Sequence, residues 1–71
     1  MKKAIATIST DAGTMTIYYN GEGESLTAET ADGSTVDECE YTARSLSDAR
    51  NAARAMWGYD GGSVWGYQEI V

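Results

Sequence analysis

Apolar and polar residues alternate along most of this chain, and one helical pattern interrupts the alternation. Residues 3–10 alternate in a way that predicts a first strand, with Ala4, Ala6 and Ile8 on one face. Residues 14–19 are rich in β-branched and aromatic side chains, which predicts a second strand. The first half of the chain is therefore predicted to be a series of short β-strands.

Residues 45–57 carry the helical pattern. Ser45 followed three residues later by Asp48 predicts a capped N-terminus, and Gly58 predicts the C-terminal end. Apolar side chains recur on one side at spacings of three and four: Leu46, Ala49, Ala53, Met56 and Trp57. Because so short a helix is not stable alone, we expect its apolar side to pack on a sheet.

Two turn-forming pairs predict how the second, third and fourth strands align. As a two-residue turn, Asn20-Gly21 places Met15 opposite Leu26. As a second such turn, Asp32-Gly33 places Leu26 opposite Cys39. Both turns put the same apolar residues on the core face. The opposite face then holds three pairs: Thr27 with Glu38, Ser25 with Glu40, and Glu29 with Val36.

The last stretch of the chain predicts a fifth strand whose phase is ambiguous. Either Val64, Gly66 and Ile70 face the helix, or Trp65, Tyr67 and Val71 do. We favour the phase with Val64 and Ile70 inward. The order β-β-β-β-α-β predicts the α+β class, with an antiparallel sheet of about five strands and one helix packed on one face. A chain of 71 residues is expected to form one domain, 1–71.

Charge is the feature that most restricts function. Eleven acidic residues against five basic ones give a net charge of −6. Residues 20–43 contain seven of the acids and neither Lys nor Arg. Direct binding to nucleic acid or to an anionic membrane is disfavoured, because both are bound mainly through Lys and Arg. The partner that such a field attracts is a basic protein surface.

The predicted register places several acids on the face of the sheet turned away from the helix. That face would display Glu29, Glu38 and Glu40 among threonines and serines, with Val36 between them. Because a single-sign surface costs self-repulsion, we interpret it as a contact surface. The candidate partner-binding residues are four acids and three apolar or aromatic anchors: Glu29, Asp37, Glu38, Glu40, Tyr18, Val36 and Trp65.

The residue types argue against an enzyme. The chain has no histidine, which excludes Ser–His and Cys–His nucleophiles and histidine-ligated metals. Glu38 and Glu40 share a strand face, but a chain of this size has little room for a catalytic cleft. The lone Cys39 cannot form an internal disulfide, and we expect it in the core. We therefore expect a cytoplasmic, non-enzymatic protein without a cofactor or metal and without a membrane-spanning segment.

Two alternatives from other classes stay open. A self-associating structural module would form a homodimer through a sheet edge or an aromatic face, with acidity serving only solubility. A carbohydrate-binding domain would use the repeated patterns Trp57-Gly58-Tyr59 and Trp65-Gly66-Tyr67, because aromatic rings stack on sugars.

The overall layout resembles that of small phage-encoded anti-CRISPR inhibitors. The likeness covers the short strands, the Asn20-Gly21 and Asp32-Gly33 hairpins, the segment Ser45-Leu46-Ser47-Asp48-Ala49-Arg50-Asn51-Ala52-Ala53 and a closing strand. Some members of that group are acidic and occupy the basic channel in which a CRISPR complex holds nucleic acid. The resemblance implies an inhibitor of a bacterial defence complex that acts through four acidic residues: Glu29, Glu38, Glu40 and Asp37.

Overall fold

The computed structural model describes residues 2–58 and 64–70, so the predictions for Tyr59 and Val71 lie outside the described residues. These residues form β1 (Lys3–Thr10), β2 (Gly13–Tyr19), β3 (Ser25–Glu29), β4 (Thr35–Thr42), α1 (Leu46–Trp57) and β5 (Val64–Glu69). The strands make one sheet in the order β4-β3-β2-β1-β5, and every neighbouring pair is antiparallel. The predicted α+β architecture is confirmed.

The helix carries the chain from one edge of the sheet to the other. β4 lies at one edge, whereas β5 pairs with β1 at the opposite edge. Between them, α1 contacts β1, β2, β4 and β5 on one face of the sheet. The core fills this interface, and its fully buried large side chains all come from strands: Ile5, Ile8, Ile17 and Leu26. The helix contributes small residues and one ring: Ala49, Ala53 and Trp57.

β1 contains a bulge that changes which of its side chains are buried. Between Ala4 and Ala6 the pairing with β2 skips one residue, Ile5. Ile5 and Ala6 are both fully buried, while Ala4 is only partly buried. The predicted core face of β1 is therefore confirmed at Ala6 and Ile8 and wrong at Ala4, because the bulge lets Ile5 enter the core instead.

The predicted two-residue turn at Asn20-Gly21 is wrong. Residues 20–24 join β2 to β3, and Leu26 pairs with Tyr19 instead of Met15. The Asn20 amide donates to the first carbonyl of β3, 3.0 Å away, and so holds the longer connection together. Tyr19 lies an even number of residues from Met15, and side-chain direction in a strand alternates with period two. The residues of β2 and β3 therefore lie on the predicted faces of the sheet, although the predicted register is wrong.

The predicted alignment of β3 with β4 is confirmed in the middle of the hairpin. Leu26 pairs with Cys39 and Thr27 with Glu38. Cys39 is buried, as expected for a cysteine in the core. Two predicted pairs at the ends are wrong, because bulges shift the register there: Glu29 pairs with Thr35 instead of Val36, and Ser25 with Thr42 instead of Glu40.

The turn before β4 is one residue longer than predicted, and this displaces Val36. The Thr30 N–H donates to the carbonyl of Ser34 at 3.0 Å, and the Gly33 N–H donates to Thr30 at the same distance. Residues 31–33 therefore lie between the hydrogen-bonded Thr30 and Ser34, whereas the predicted turn has two residues. The register regains its predicted value only because Val36 becomes the extra residue of a bulge.

The helix begins and ends where the sequence predicts. The Ser45 hydroxyl accepts the N–H of Asp48 at 3.1 Å, which is the expected cap. The Asp48 carboxylate in turn accepts the N–H of Arg44 at 3.0 Å. Gly58 has an ordinary φ of −82°, and its N–H donates to Arg54. A Cβ at Gly58 would lie 2.2 Å from the Arg54 carbonyl oxygen, so close approach is what requires glycine here.

Gly66 resolves the ambiguous phase of β5. It adopts a φ of +66°, at the point where the pairing with β1 shifts. Val64 before it and Tyr67 after it both pack against the core, whereas Trp65 is exposed. Ile70, which we favoured as an inward residue, is 37% exposed. Strict alternation is therefore the wrong model for β5, because a bulge at glycine reverses the faces midway.

Candidate functional site

Acidic side chains gather along the free edge of β4. Asp37, Glu38 and Glu40 are all exposed on this strand, and we call these three residues the acidic edge. Within residues 2–58 and 64–70, none of the three forms an ion pair. The edge therefore carries uncompensated negative charge.

A further acid lies in the turn at the start of β4. The Asp32 carboxylate accepts the N–H of Ser34 at 3.0 Å and the hydroxyl of Thr30. These bonds, the Thr30 hydroxyl first, hold the pKa of Asp32 below its ordinary value. Asp32 thus extends the negative charge beyond this end of β4.

The other end of β4 meets the connection between β2 and β3. The Gly23 N–H donates to the carbonyl of Ala43 at 2.9 Å, which places this connection beside the residue that follows β4. Glu22 and Glu24 flank Gly23 and are both exposed. Acidic residues are therefore found at both ends of the acidic edge as well as along it.

Glu29 does not present a free charge, contrary to the prediction. Its side chain lies on the helix-free face but the residue is only 6% exposed. Lys2 Nζ donates to Glu29 Oε1 at 2.6 Å, and the Thr27 hydroxyl donates to Oε2 at 2.9 Å. These bonds, that of Lys2 first, lower the pKa of Glu29 against the opposing effect of burial. Lys2 also lies over the Tyr18 ring, 4.4 Å from its centroid, so the Lys2 charge is held in place.

The carboxylates of Asp37 and Glu38 have different hydrogen-bond partners and lie on different sides of the sheet. The Glu38 carboxylate accepts the Ser25 hydroxyl at 2.6 Å on the helix-free face. Asp37 instead accepts the indole N–H of Trp57 at 3.0 Å, and its other oxygen accepts the backbone N–H of Glu38 at 2.9 Å. Asp37 therefore joins the edge strand to the end of the helix and occupies a backbone donor of that strand.

The three predicted anchors are not brought together. Val36 is 52% exposed in the bulge of β4, and Tyr18 is partly buried beneath Lys2 in the middle of the sheet. Trp65 is 43% exposed on β5, at the opposite edge. Four strand spacings of about 4.8 Å put roughly 19 Å between β4 and β5. Trp65 and the acidic edge therefore belong to different surfaces.

Several basic side chains are engaged away from β4. Arg54 forms an ion pair with Glu69 at 2.5 Å, and Arg50 donates to a backbone carbonyl just after β5 at 2.9 Å. Lys2 is paired with Glu29. Arg44 follows β4 and lies near Asp48 at the start of the helix. Arg50 and Arg54 thus place positive charge toward β5, whereas Lys2 and Arg44 lie closer to β4.

A groove runs between β4 and α1, and none of the sequence patterns described above predicts it. It is open to solvent, has a volume of about 460 Å³ and is lined mainly by small or apolar side chains, with a carboxylate at one end: Cys39, Tyr41, Asp48, Asn51, Ala52, Ala55 and Met56. We call it the β4–α1 groove. Tyr41 and Met56 are 52% and 37% exposed. The Tyr41 hydroxyl donates to Asp48, 2.9 Å from each oxygen, and this bond raises the pKa of Tyr41. The Arg44 N–H and then the Tyr41 hydroxyl lower the pKa of Asp48.

Two periodic patterns could have predicted this groove. Cys39 and Tyr41 alternate with the acids on β4, and the helix carries a second stripe of small residues beside the one that enters the core. The helical spacing predicts Met56 as part of the core stripe, but its side chain lies at the border of that stripe and is exposed. Ala52 and Ala55 are too small to fill the space next to β4, which leaves the groove open.

Other kinds of site find no support among the described residues. They contain no group of three or more His, Cys, Asp or Glu side chains placed to hold a metal ion. No helix in residues 2–58 and 64–70 has the length and apolar character needed to cross a membrane. No protein family matches the chain, and comparison with curated proteins and with solved structures finds no significant match.

Proposed function

We propose that this chain is a non-enzymatic inhibitor that docks its acidic edge on a basic, nucleic-acid-binding surface of a bacterial defence complex. The observation that carries the proposal is the exposure of Asp37, Glu38 and Glu40 together, with no ion pair to any described residue. A surface of one sign attracts a surface of the opposite sign and competes with the polyanion that would bind there.

Glu38 and Glu40 are the acids expected to contact the partner. They are two residues apart on β4, a separation of about 6.8 Å, so both can reach one basic surface at once. Asp37 is held by Trp57 and by the Glu38 backbone, and it supports the edge instead. Glu29 is already neutralised by Lys2 and contributes no free charge to the docking surface.

The resemblance to anti-CRISPR inhibitors suggests a CRISPR effector as the target and the bacterial cytoplasm as the location. In this proposal, lysines and arginines of the effector channel pair with the carboxylates of Glu38 and Glu40 instead of with phosphates. The inhibitor needs no cofactor, and it acts by occupancy: nucleic acid is excluded while the protein is bound.

A nucleic-acid binding assay tests the proposal. Labelled nucleic acid is mixed with purified CRISPR effector complexes of several types, and its fluorescence anisotropy is measured with and without the protein. The wild type should reduce binding to one effector. The Glu38→Lys/Glu40→Lys variant should lose this effect while its circular dichroism spectrum stays native. Inhibition of none of the effectors, or unchanged inhibition by the variant, would contradict the proposal.

Self-association is a second candidate, favoured by the opposite edge of the sheet. β5 is also an edge strand, and it exposes Trp65, with Ile70 exposed just beyond it. Exposed aromatic and aliphatic side chains at a strand edge are typical of an interface. Sedimentation over a range of concentrations should show a monomer if the first proposal is right. A dimer that Trp65→Ser dissociates would favour the second.

A further inference from the structure

Charge alone does not account for tight binding by the acidic edge. Exposed charges at the rim of an interface mainly set the association rate and the salt dependence, whereas affinity depends on buried anchors. Of the three anchors expected from the sequence, Tyr18 lies beneath Lys2 and Trp65 lies at the other edge. This leaves Val36, which is exposed on β4 but whose small side chain offers little apolar surface. A partner of the acidic edge therefore needs an apolar contact elsewhere, close to β4.

The β4–α1 groove meets this requirement. Cys39 and Tyr41 line it, and they alternate along β4 with Glu38 and Glu40. The groove and the two acids thus lie on opposite faces of one strand and meet at its free edge. A segment that crosses this edge can contact carboxylates on one side and the groove on the other.

We propose that the β4–α1 groove receives one large apolar side chain from a basic segment of the partner protein. This inference rests on the proposed function and names the part of the partner that is recognised. Charge complementarity identifies the occupant, because the groove has Asp48 at one end and lies next to Glu38 and Glu40. A second copy of this acidic chain would instead bring like charges together.

The side chain enters the groove without a new strand being added to the sheet. The Asp37 carboxylate already occupies the backbone N–H of Glu38. The register of β4 is also irregular on both sides of its central pairs. Occupied donors and bulges are features that prevent strand addition at a sheet edge. Recognition therefore depends on the side chain in the groove and on its basic neighbours.

The size and lining of the groove suit a single apolar anchor. Its volume of about 460 Å³ is too small for a helix but is comparable to that of small-molecule sites, which span about 300–1,000 Å³. Met56 is exposed at its border, and methionine adapts its shape to different apolar partners. Tyr41, held by Asp48, supplies a fixed aromatic wall.

Two peptides of equal charge provide the probe. The first is acetyl-Lys-Lys-Leu-Lys-Lys-amide, and the second has serine in place of leucine. Titration of each into isotopically labelled protein, at physiological salt, is followed by amide chemical shifts. The leucine peptide should bind about tenfold more tightly than the serine peptide, because part of its leucine side chain becomes buried in the groove. Its shifts should centre on residues 39–41 and 51–56.

A pair of protein variants tests the location. Ala55→Trp fills the groove from an exposed helix position and should abolish the preference for the leucine peptide. Ser47→Trp adds the same ring at an exposed position outside the groove lining and should leave the preference unchanged. Thermal unfolding of both variants establishes that they are folded.

The outcomes separate this inference from the proposed function. Equal affinity of the two peptides, with chemical-shift changes along β4, would overturn the proposed role of the groove but not that of the acidic edge. Tighter binding of the leucine peptide, with chemical-shift changes on β5 or on the helix-free face, would also overturn the proposed role of the groove. Binding of neither peptide would overturn both, since the acidic edge itself would then attract no basic segment.

Discussion

At the scale of single residues, hydrogen-bond partners decide which acids are free to act. The sequence identifies the acids, but it does not show that Lys2, 27 positions away, neutralises Glu29. Nor does it show that Asp37 bonds to Trp57 across the interface between sheet and helix. Such partners come together when distant segments of the chain pair. A residue pattern predicts which face of a strand or helix a side chain lies on, but not which side chain lies next to it. Cys39 and Trp57 could be predicted as core residues, because burial follows from face alone.

The ion pair of Glu29 predicts a pH dependence of stability. The pKa of Glu29 is lower in the folded protein than its ordinary value of about 4.3, so ionised Glu29 stabilises the fold above that value. This stabilisation is lost as the pH falls through the folded-state pKa. The wild type should therefore be more stable than Glu29→Gln at pH 7, and the difference should shrink in acid. Urea unfolding at several pH values measures it.

Glu22→Gln is the matched control, since Glu22 is exposed in the connection between β2 and β3. This variant should differ little from the wild type in its free energy of unfolding. Asp32 and Asp48 also have lowered pKa values, but their contributions are common to all three proteins and cancel in the differences. A stability difference for Glu29→Gln that stays constant from pH 7 into acid would show that the ion pair is not responsible.

At the scale of elements, the sequence predicts faces more reliably than registers. Helix α1 and its Ser45 cap are confirmed, because capping and periodicity are local signals. The β2–β3 register is wrong, yet its faces are right, because the error is an even number of residues. The bulges at Ile5, Val36 and Gly66 were not predicted. A bulge depends on how two strands fit together, and neither strand specifies that fit by itself.

Gly66 offers a test of the bulge in β5. Its φ of +66° lies in the left-handed region, so Gly66→Ala should destabilise the protein by about 1–2 kcal/mol. An added Cβ would also contact the Ser9 hydroxyl at 3.4 Å. Gln68→Ala, at an exposed position of the same strand, should change stability by less than about 0.5 kcal/mol. Chemical denaturation measures both, and a Gly66→Ala protein as stable as the wild type would contradict the assigned conformation.

At the scale of the whole molecule, the arrangement of charge is the feature most relevant to function. The sequence shows that residues 20–43 contain acids without bases, and the structure places most of these acids along and around β4. The prediction of an acidic flat face was too simple, because Glu29, one of the three acids predicted there, is paired with Lys2. The β4–α1 groove could not be inferred from charge at all, since it depends on the gap between a strand and a helix.

The association rate with the inhibited effector tests the central claim most directly. Glu40→Lys and Glu69→Lys change the net charge of −6 equally, but Glu69 lies on β5 at the opposite edge of the sheet. Glu40→Lys should slow association at low salt by about tenfold or more, with the effect fading as salt rises, because it reverses charge at the contact. Glu69→Lys should slow it much less. Equal effects of the two variants, or no effect of Glu40→Lys, would contradict docking through the acidic edge.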